Sequence, residues 1–131
     1  MSFKAMLSID GKPEIRLLHC SYSLQRDFDA TGRPSSMVHG GTMNFLIEST
    51  EDNSLFEWMV DQFANKKGKA TFYKRDSDTK MKELSFEDGY IVQYAESIDS
   101  LGDSPMTISF TISARKIAVA GITHENPWPK A

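Results

Sequence analysis

The sequence predicts a mainly β chain with a single helix, and three observations carry that reading. Apolar and polar residues alternate in six or seven stretches, the period that sets one face of a strand on a core and the other in water. One stretch alone switches to the helical period, with apolar residues three and four apart. Two more stretches have no apolar rhythm and are rich in Gly or Pro.

In chain order, Phe3, Ala5, Leu7 and Ile9 alternate first, and Asp10-Gly11 forms a hairpin turn into a second strand whose apolar side is Leu18, Cys20, Tyr22 and Leu24. Arg26 to Gly41 (RDFDATGRPSSMVHGG) follows as a connection longer than most loops inside compact domains, and such loops are usually functional or mobile. Met43, Phe45 and Ile47 mark the next strand. Ser54-Leu-Phe-Glu57 then reads as a capping box, in which hydroxyl and carboxylate each accept a backbone N–H of the other. Leu55, Trp58, Met59 and Phe63 recur at helical spacing, and Lys66-Lys67-Gly68 supplies last-turn cations and a left-handed stop. A helix of about three turns, Ser54 to Asn65, is expected. With Phe56 and Val60 added, its apolar face is wide enough for burial against a sheet or a neighbouring subunit.

Three further strands are read at Ala70 and Phe72, at Leu84 and Phe86, and at Tyr90, Val92 and Tyr94. The clearest is Met106–Ala114: Met106, Ile108, Phe110, Ile112 and Ala114 face one way, and Thr107, Ser109, Thr111 and Ser113 the other. Ile117 and Val119 then fall out of phase, which predicts a bulge or break near Arg115-Lys116. The tail over 124–131 contains Pro127 and Pro129, too many prolines for a strand interior, and is expected to end the fold as an extended arm.

At 131 residues the chain suits one domain spanning 1–131, long enough to bury a core without metal or disulfide staples. Its single Cys20 permits no intramolecular disulfide and fits folding in a reducing cytoplasm. No cleavable signal is visible, since Lys4 and Ser8 interrupt the place of an apolar segment. No run approaches the ~20 apolar residues of a membrane span, so no membrane insertion is expected. A net charge of -3, with the 15 basic residues scattered, argues against a nucleic-acid partner.

A search for chemistry finds little. His19 and Cys20 are strand neighbours that point to opposite faces, so a thiolate–imidazole pair gives way to a buried Cys and an exposed His. His19, His39, His124 and Cys20 offer no metal-ligand spacing. Asp27-x-Asp29-x-Thr31-Gly32 opens like a calcium loop, but Val38 stands where a bidentate Glu is needed and Arg33 adds a cation. No nucleophile elbow, P-loop, dinucleotide fingerprint or carboxylate pair appears, so neither catalysis, a cofactor nor a metal is expected. Two readings of the charged loop stand open, a solvated surface or a docking element, and the Ser/Thr face of Met106–Ala114 is either a solvated outer face or the lining of a wet channel.

Together, the stretches SFKAMLSIDGK, LLHCSYSLQRDFDATGRPSS, STEDNSLFEWMVDQF, TFYKRD, MKELSFEDGYIVQYAES and PMTISFTISARKI resemble the hemolysin-coregulated protein family (Hcp, TssD) of type VI secretion systems, in its Bacteroidetes form. The resemblance runs from about Ser2 to Trp128. It implies a small two-sheet β-barrel, related to phage tail tubes, with a flanking helix that carries Ser54, Glu57, Trp58, Met59 and Phe63. Six copies would form a ring, and rings would stack into a hollow tube that carries effector cargo, inside a sheath and behind a spike. The protein would be made in the cytoplasm and secreted through the apparatus, with no enzyme role.

The resemblance further implies that Arg26–Gly41 is an extended inter-ring loop, with Arg26, Asp27, Asp29 and Arg33 pairing across the contact while Gly32, Pro34, Gly40 and Gly41 shape the projection. Thr107, Ser109, Thr111 and Ser113 are the expected lumen-facing residues. The alternative from the residues alone is a monomeric β-barrel that binds a ligand or peptide.

Overall fold

A computed structural model gives the fold and describes residues 4–49, 52–74, 80–98 and 106–128. The elements are β1 (Lys4–Ile9), β2 (Ile15–Gln25), β3 (His39–Glu48), α1 (Ser54–Val60), β4 (Lys66–Tyr73), β5 (Lys80–Ile98), β6 (Met106–Val119) and β7 (Ile122–Glu125). The sheet runs β3-β2-β1-β4-β5-β6-β7, and β3 also pairs with β6. Strands β1 to β6 therefore close a six-stranded barrel, and β7 is an extra strand on β6. Phe3 and the ends of the tail and of several loops lie outside the described residues.

The first hairpin forms as expected. Asp10 and Gly11 both take positive φ (51° and 73°), the primed-turn geometry whose twist matches the flanking strands, and the Lys12 N–H donates to the Ile9 carbonyl. Alternation fills the interior: Leu7, Met43, Phe45, Leu84, Phe110 and Ile112 are essentially sealed from solvent, and Phe45 meets Phe110 at 5.3 Å between ring centroids. The barrel is packed with side chains.

In the strands and the tail, four details differ from the sequence expectation. In β2 the pairing to β3 shifts between Leu17 and His19, so Leu17 is buried and Leu18 is exposed. The Leu84–Phe86 and Tyr90–Tyr94 stretches are one long strand, β5, and its register against β6 shifts between Ile91 and Gln93, which buries Ile91 and turns Val92 outward.

The phase slip at Arg115 neither breaks β6 nor bulges it against β5. Glu87 pairs with Lys116 and Gly89 with Ala114, so both strands slip together at the level where Asp88 adopts φ 53° and binds the Arg115 guanidinium. At that level β6 also exchanges β3 for β7 as its other neighbour. Finally, His124 and Glu125 belong to β7, and the next residues pack on the barrel, with Asn126 buried and Trp128 against Tyr90 at 6.0 Å.

The helix is shorter than predicted and starts differently. It spans seven residues, Ser54–Val60, with Asn53 as N-cap and no side-chain cap bond from it. The Asp52 carboxylate, two residues before the start of the expected box, accepts the Ser54 N–H at 2.9 Å. That bond holds its pKa below the usual carboxylate value. Asp61 ends the helix: its backbone is extended and its carboxylate takes the Phe63 N–H, the local competition that makes Asp a poor helix-interior residue. Lys66, Lys67 and Gly68, expected as a helix stop, are part of β4. Leu55 and Trp58 are buried, whereas Phe56, Val60 and Phe63 remain exposed.

Candidate assembly surface

The barrel's strands share hydrogen bonds unequally, and this creates the first notable surface. Among the described residues β1 pairs with β2 only at Ile15 and Arg16, so Leu18–Gln25 of β2 has one described strand partner, β3. β4 pairs with β5 only up to Gly89, so Tyr90–Ile98 of β5 is bonded on one side alone, to β6. The half of β2 after Leu17, β3, the half of β6 before Ala114 and the half of β5 after Gly89 thus form a four-stranded patch with an unpaired edge at each side. Unpaired edges of this length are templates for another strand.

The two faces of the patch follow from register, because residues directly opposite in an antiparallel pair share a face. Met43 opposite Ile112, Phe45 opposite Phe110 and Ile47 opposite Ile108 face the core. The other face is assembled in rows. Ser21, Asn44, Thr111 and Gln93 form one, with the Thr111 hydroxyl donating to Asn44 Oδ1 at 2.7 Å and Asn44 Nδ2 donating to Ser21 Oγ at 3.4 Å. His19, Leu46, Ser109 and Ala95 form the next, Ser23, Thr42 and Ser113 lie to one side, and Glu48, Thr107 and Ser97 to the other. Thr107, Ser109, Thr111 and Ser113 thus stand together away from the core.

Their partners Ser21, Asn44 and Gln93 were absent from the sequence expectation, although the polar positions of β2 and β3 alternate in the same way. Hydroxyls and amides dominate these rows, with Leu46 and Ala95 among them and, of the described residues, titratable groups at His19, Glu48 and, opposite Ser113, Tyr90.

Behind the same strands, Cys20, Tyr22 and Leu24 flank the β2 edge on the core side. The half-buried Cys20 thiol is pushed up to about 11 by burial, while His19 is exposed on the opposite face. At the β5 edge, the exposed Phe56 of α1 meets Tyr94 edge-on at 5.7 Å. Apolar groups therefore line both unpaired edges.

The second surface is the loop, which continues β2 and β3 as an irregular hairpin. Phe28 bridges to Pro34, the Asp29 N–H donates to the Arg33 carbonyl, and the Gly32 N–H returns to the Asp29 carbonyl. The Asp29 carboxylate accepts from the Thr31 hydroxyl (2.7 Å), the Thr31 N–H (2.9 Å) and the Arg33 N–H (3.1 Å), and these bonds lower its pKa. Asp27 lies 3.6 Å from the His39 ring. Arg26 and Arg33 are exposed with no ion-pair partner among the described residues. Gly40 and Gly41 lie within β3, where Asn126 Nδ2 donates to both the Gly40 (2.8 Å) and Ala114 (3.1 Å) carbonyls and pins the hairpin base to the tail.

Among the described residues no group of His, Cys, Asp and Glu is placed to hold a metal, and no helix is long and apolar enough to cross a membrane. The free strand edges fit the assembly of copies.

A family model described as hemolysin coregulated protein Hcp (TssD) matches residues 1–129. Among solved structures, the chain is similar to Hcp1 from Flavobacterium johnsoniae, at 41% identity and a TM-score of 0.88, covering 94% of this chain and 99% of that one. It is similar to Hcp1 from Salmonella typhimurium at 15% identity and a TM-score of 0.74, covering 95% and 92%. A chain of the PVC sheath-tube complex, an extracellular contractile injection system in its extended state, aligns at 14% identity and a TM-score of 0.59, covering 91% and 89%. These last two likenesses concern the fold alone. Comparison with curated proteins gives no match.

Proposed function

The chain belongs to the hemolysin coregulated protein family, Hcp (TssD), and we propose from that premise how it closes its ring. It is a structural tube subunit of a type VI secretion system, and its family is secreted by that route. In the proposed ring, the β2 edge of one protomer adds to the β5 edge of the next. This heterologous joint closes after six copies, leaving no edge of the four-stranded patch open.

The observation that carries this reading is the pair of unpaired, apolar-backed edges on one four-stranded patch. Twenty-four strands at about 4.8 Å spacing give an inner wall roughly 37 Å across before tilt is added. The hydroxyl and amide face of Thr107, Ser109, Thr111 and Ser113, joined by Ser21, Asn44 and Gln93, lines the lumen, where effector cargo is carried without strong charge pairing. Helix α1 sits on the outside, towards the sheath, and the spike caps the tube. The hairpin around Arg26, Asp27, Asp29, Gly32, Arg33 and Pro34 reaches the adjacent ring.

The protein acts mechanically, without catalysis, nucleic acid or membrane insertion, and leaves the cytoplasm through the apparatus itself. Size-exclusion chromatography with light scattering tests the ring: six chains per particle are expected, and a particle of one chain at all concentrations overturns it.

A further inference from the structure

We propose that Phe28 and Met37 are the apolar anchors of the contact between rings, and that their seat on the next copy is the pair Ile98 and Met106 at the far end of the same four-stranded patch. The inference rests on the tube reading above and names the residues at both sides of its axial contact. The acidic groups of the hairpin are largely engaged within it, Asp29 by Thr31 and Arg33 and Asp27 by His39. What the hairpin offers outward is apolar: Phe28 is 74% and Met37 77% exposed. Bonds at the tip, at Asp27 to Ser36 and at Asn126 to Gly40 hold the segment in shape, so little ordering remains to be done on docking.

Direction identifies the partner. Ring closure uses the sides of β2 and β5, along the hydrogen-bonding direction. The hairpin instead prolongs β2 and β3 along the strand direction and so passes beyond the rim of its own ring. The other end of that patch is where β3 finishes at Glu48 opposite Thr107 and where Ile98 pairs with Met106. Ile98 is 70% and Met106 40% exposed there. One patch thus carries a protruding apolar tip at one end and an open apolar pair at the other, a heterologous contact that repeats without closing and so generates a stack.

Two measurements test this. In F28S/M37S, rings are expected to keep their size while stacks seen by negative stain and sedimentation disappear; I98S is expected to do the same from the other side. D27K/R33E, which leaves the anchors in place, is expected to shorten stacks less. Separately, chains carrying M37C are mixed with chains carrying I98C, both in a Cys20→Ser background, and oxidised, and a mixed disulfide dimer is expected. Stacks of wild-type length in F28S/M37S, loss of stacks only in D27K/R33E, or no M37C–I98C dimer would each overturn the proposal. A wild type that forms no rings while M37C and I98C still crosslink would sink the ring reading and leave this contact standing.

Discussion

At the scale of single residues, Asp29 shows how a polar side chain builds a surface without chemistry. Its carboxylate accepts a side-chain bond from Thr31 and backbone bonds from Thr31 and Arg33, in that order of effect, and its folded pKa is lowered. A depressed folded value means the tip is held fully above the ordinary carboxylate range and is released as pH falls through the lowered pKa. Amide exchange at Thr31 and Arg33, followed by NMR, is expected to accelerate relative to the rest of the chain as the solution is acidified through that range, and Asp29→Ala should remove the pH dependence. The calcium-like spelling of Asp27, Asp29 and Thr31 in the sequence is this turn: Asp29 is already committed to the chain's own donors.

Among the elements, the long strands matter most because each serves two neighbours along its length. Among the described residues, β5 is bonded by β4 in its first half and left open in its second, and β2 is open on its β1 side over Leu18–Gln25. Leu24→Asp on one edge or Tyr94→Asp on the other places a carboxylate where the joint would close over it. An uncompensated charge in such a place costs on the order of 3–5 kcal/mol. Each variant is expected to run as a monomer by light scattering with an unchanged far-ultraviolet circular dichroism spectrum; a six-chain particle from both would show that these edges are not the joint. The period-two pattern located these strands well. It misjudged Leu18 and Val92, because one extra residue in a strand reverses every side chain after it and leaves no mark in composition.

For the whole molecule, the proposed ring completes with other copies the two edges that are unpaired among the described residues, and stability would then follow mass action. The thermal midpoint of the wild type is expected to rise with protein concentration. That of Leu24→Asp should not move, and calorimetry at a series of concentrations checks both; a wild-type midpoint independent of concentration would contradict assembly through these edges.

Sequence alone determined the β class, the first hairpin, the core face of Met106–Ala114, the lone helix and the family, since each depends on neighbours in the chain or on short stretches of residues. The length of α1 escaped it because the Asp61 backbone turns extended after its N–H closes the last helical bond to Glu57, and its carboxylate takes the Phe63 N–H, a local competition that helical spacing does not weigh. Only the tertiary structure decided which strand halves lack a partner, that Ser21, Asn44, Thr111 and Gln93 lie in one row, and that Asn126 anchors a hairpin base 86 residues away at Gly40. Those facts are relations between segments distant in sequence, fixed by register and barrel closure, and no local pattern of residues encodes them.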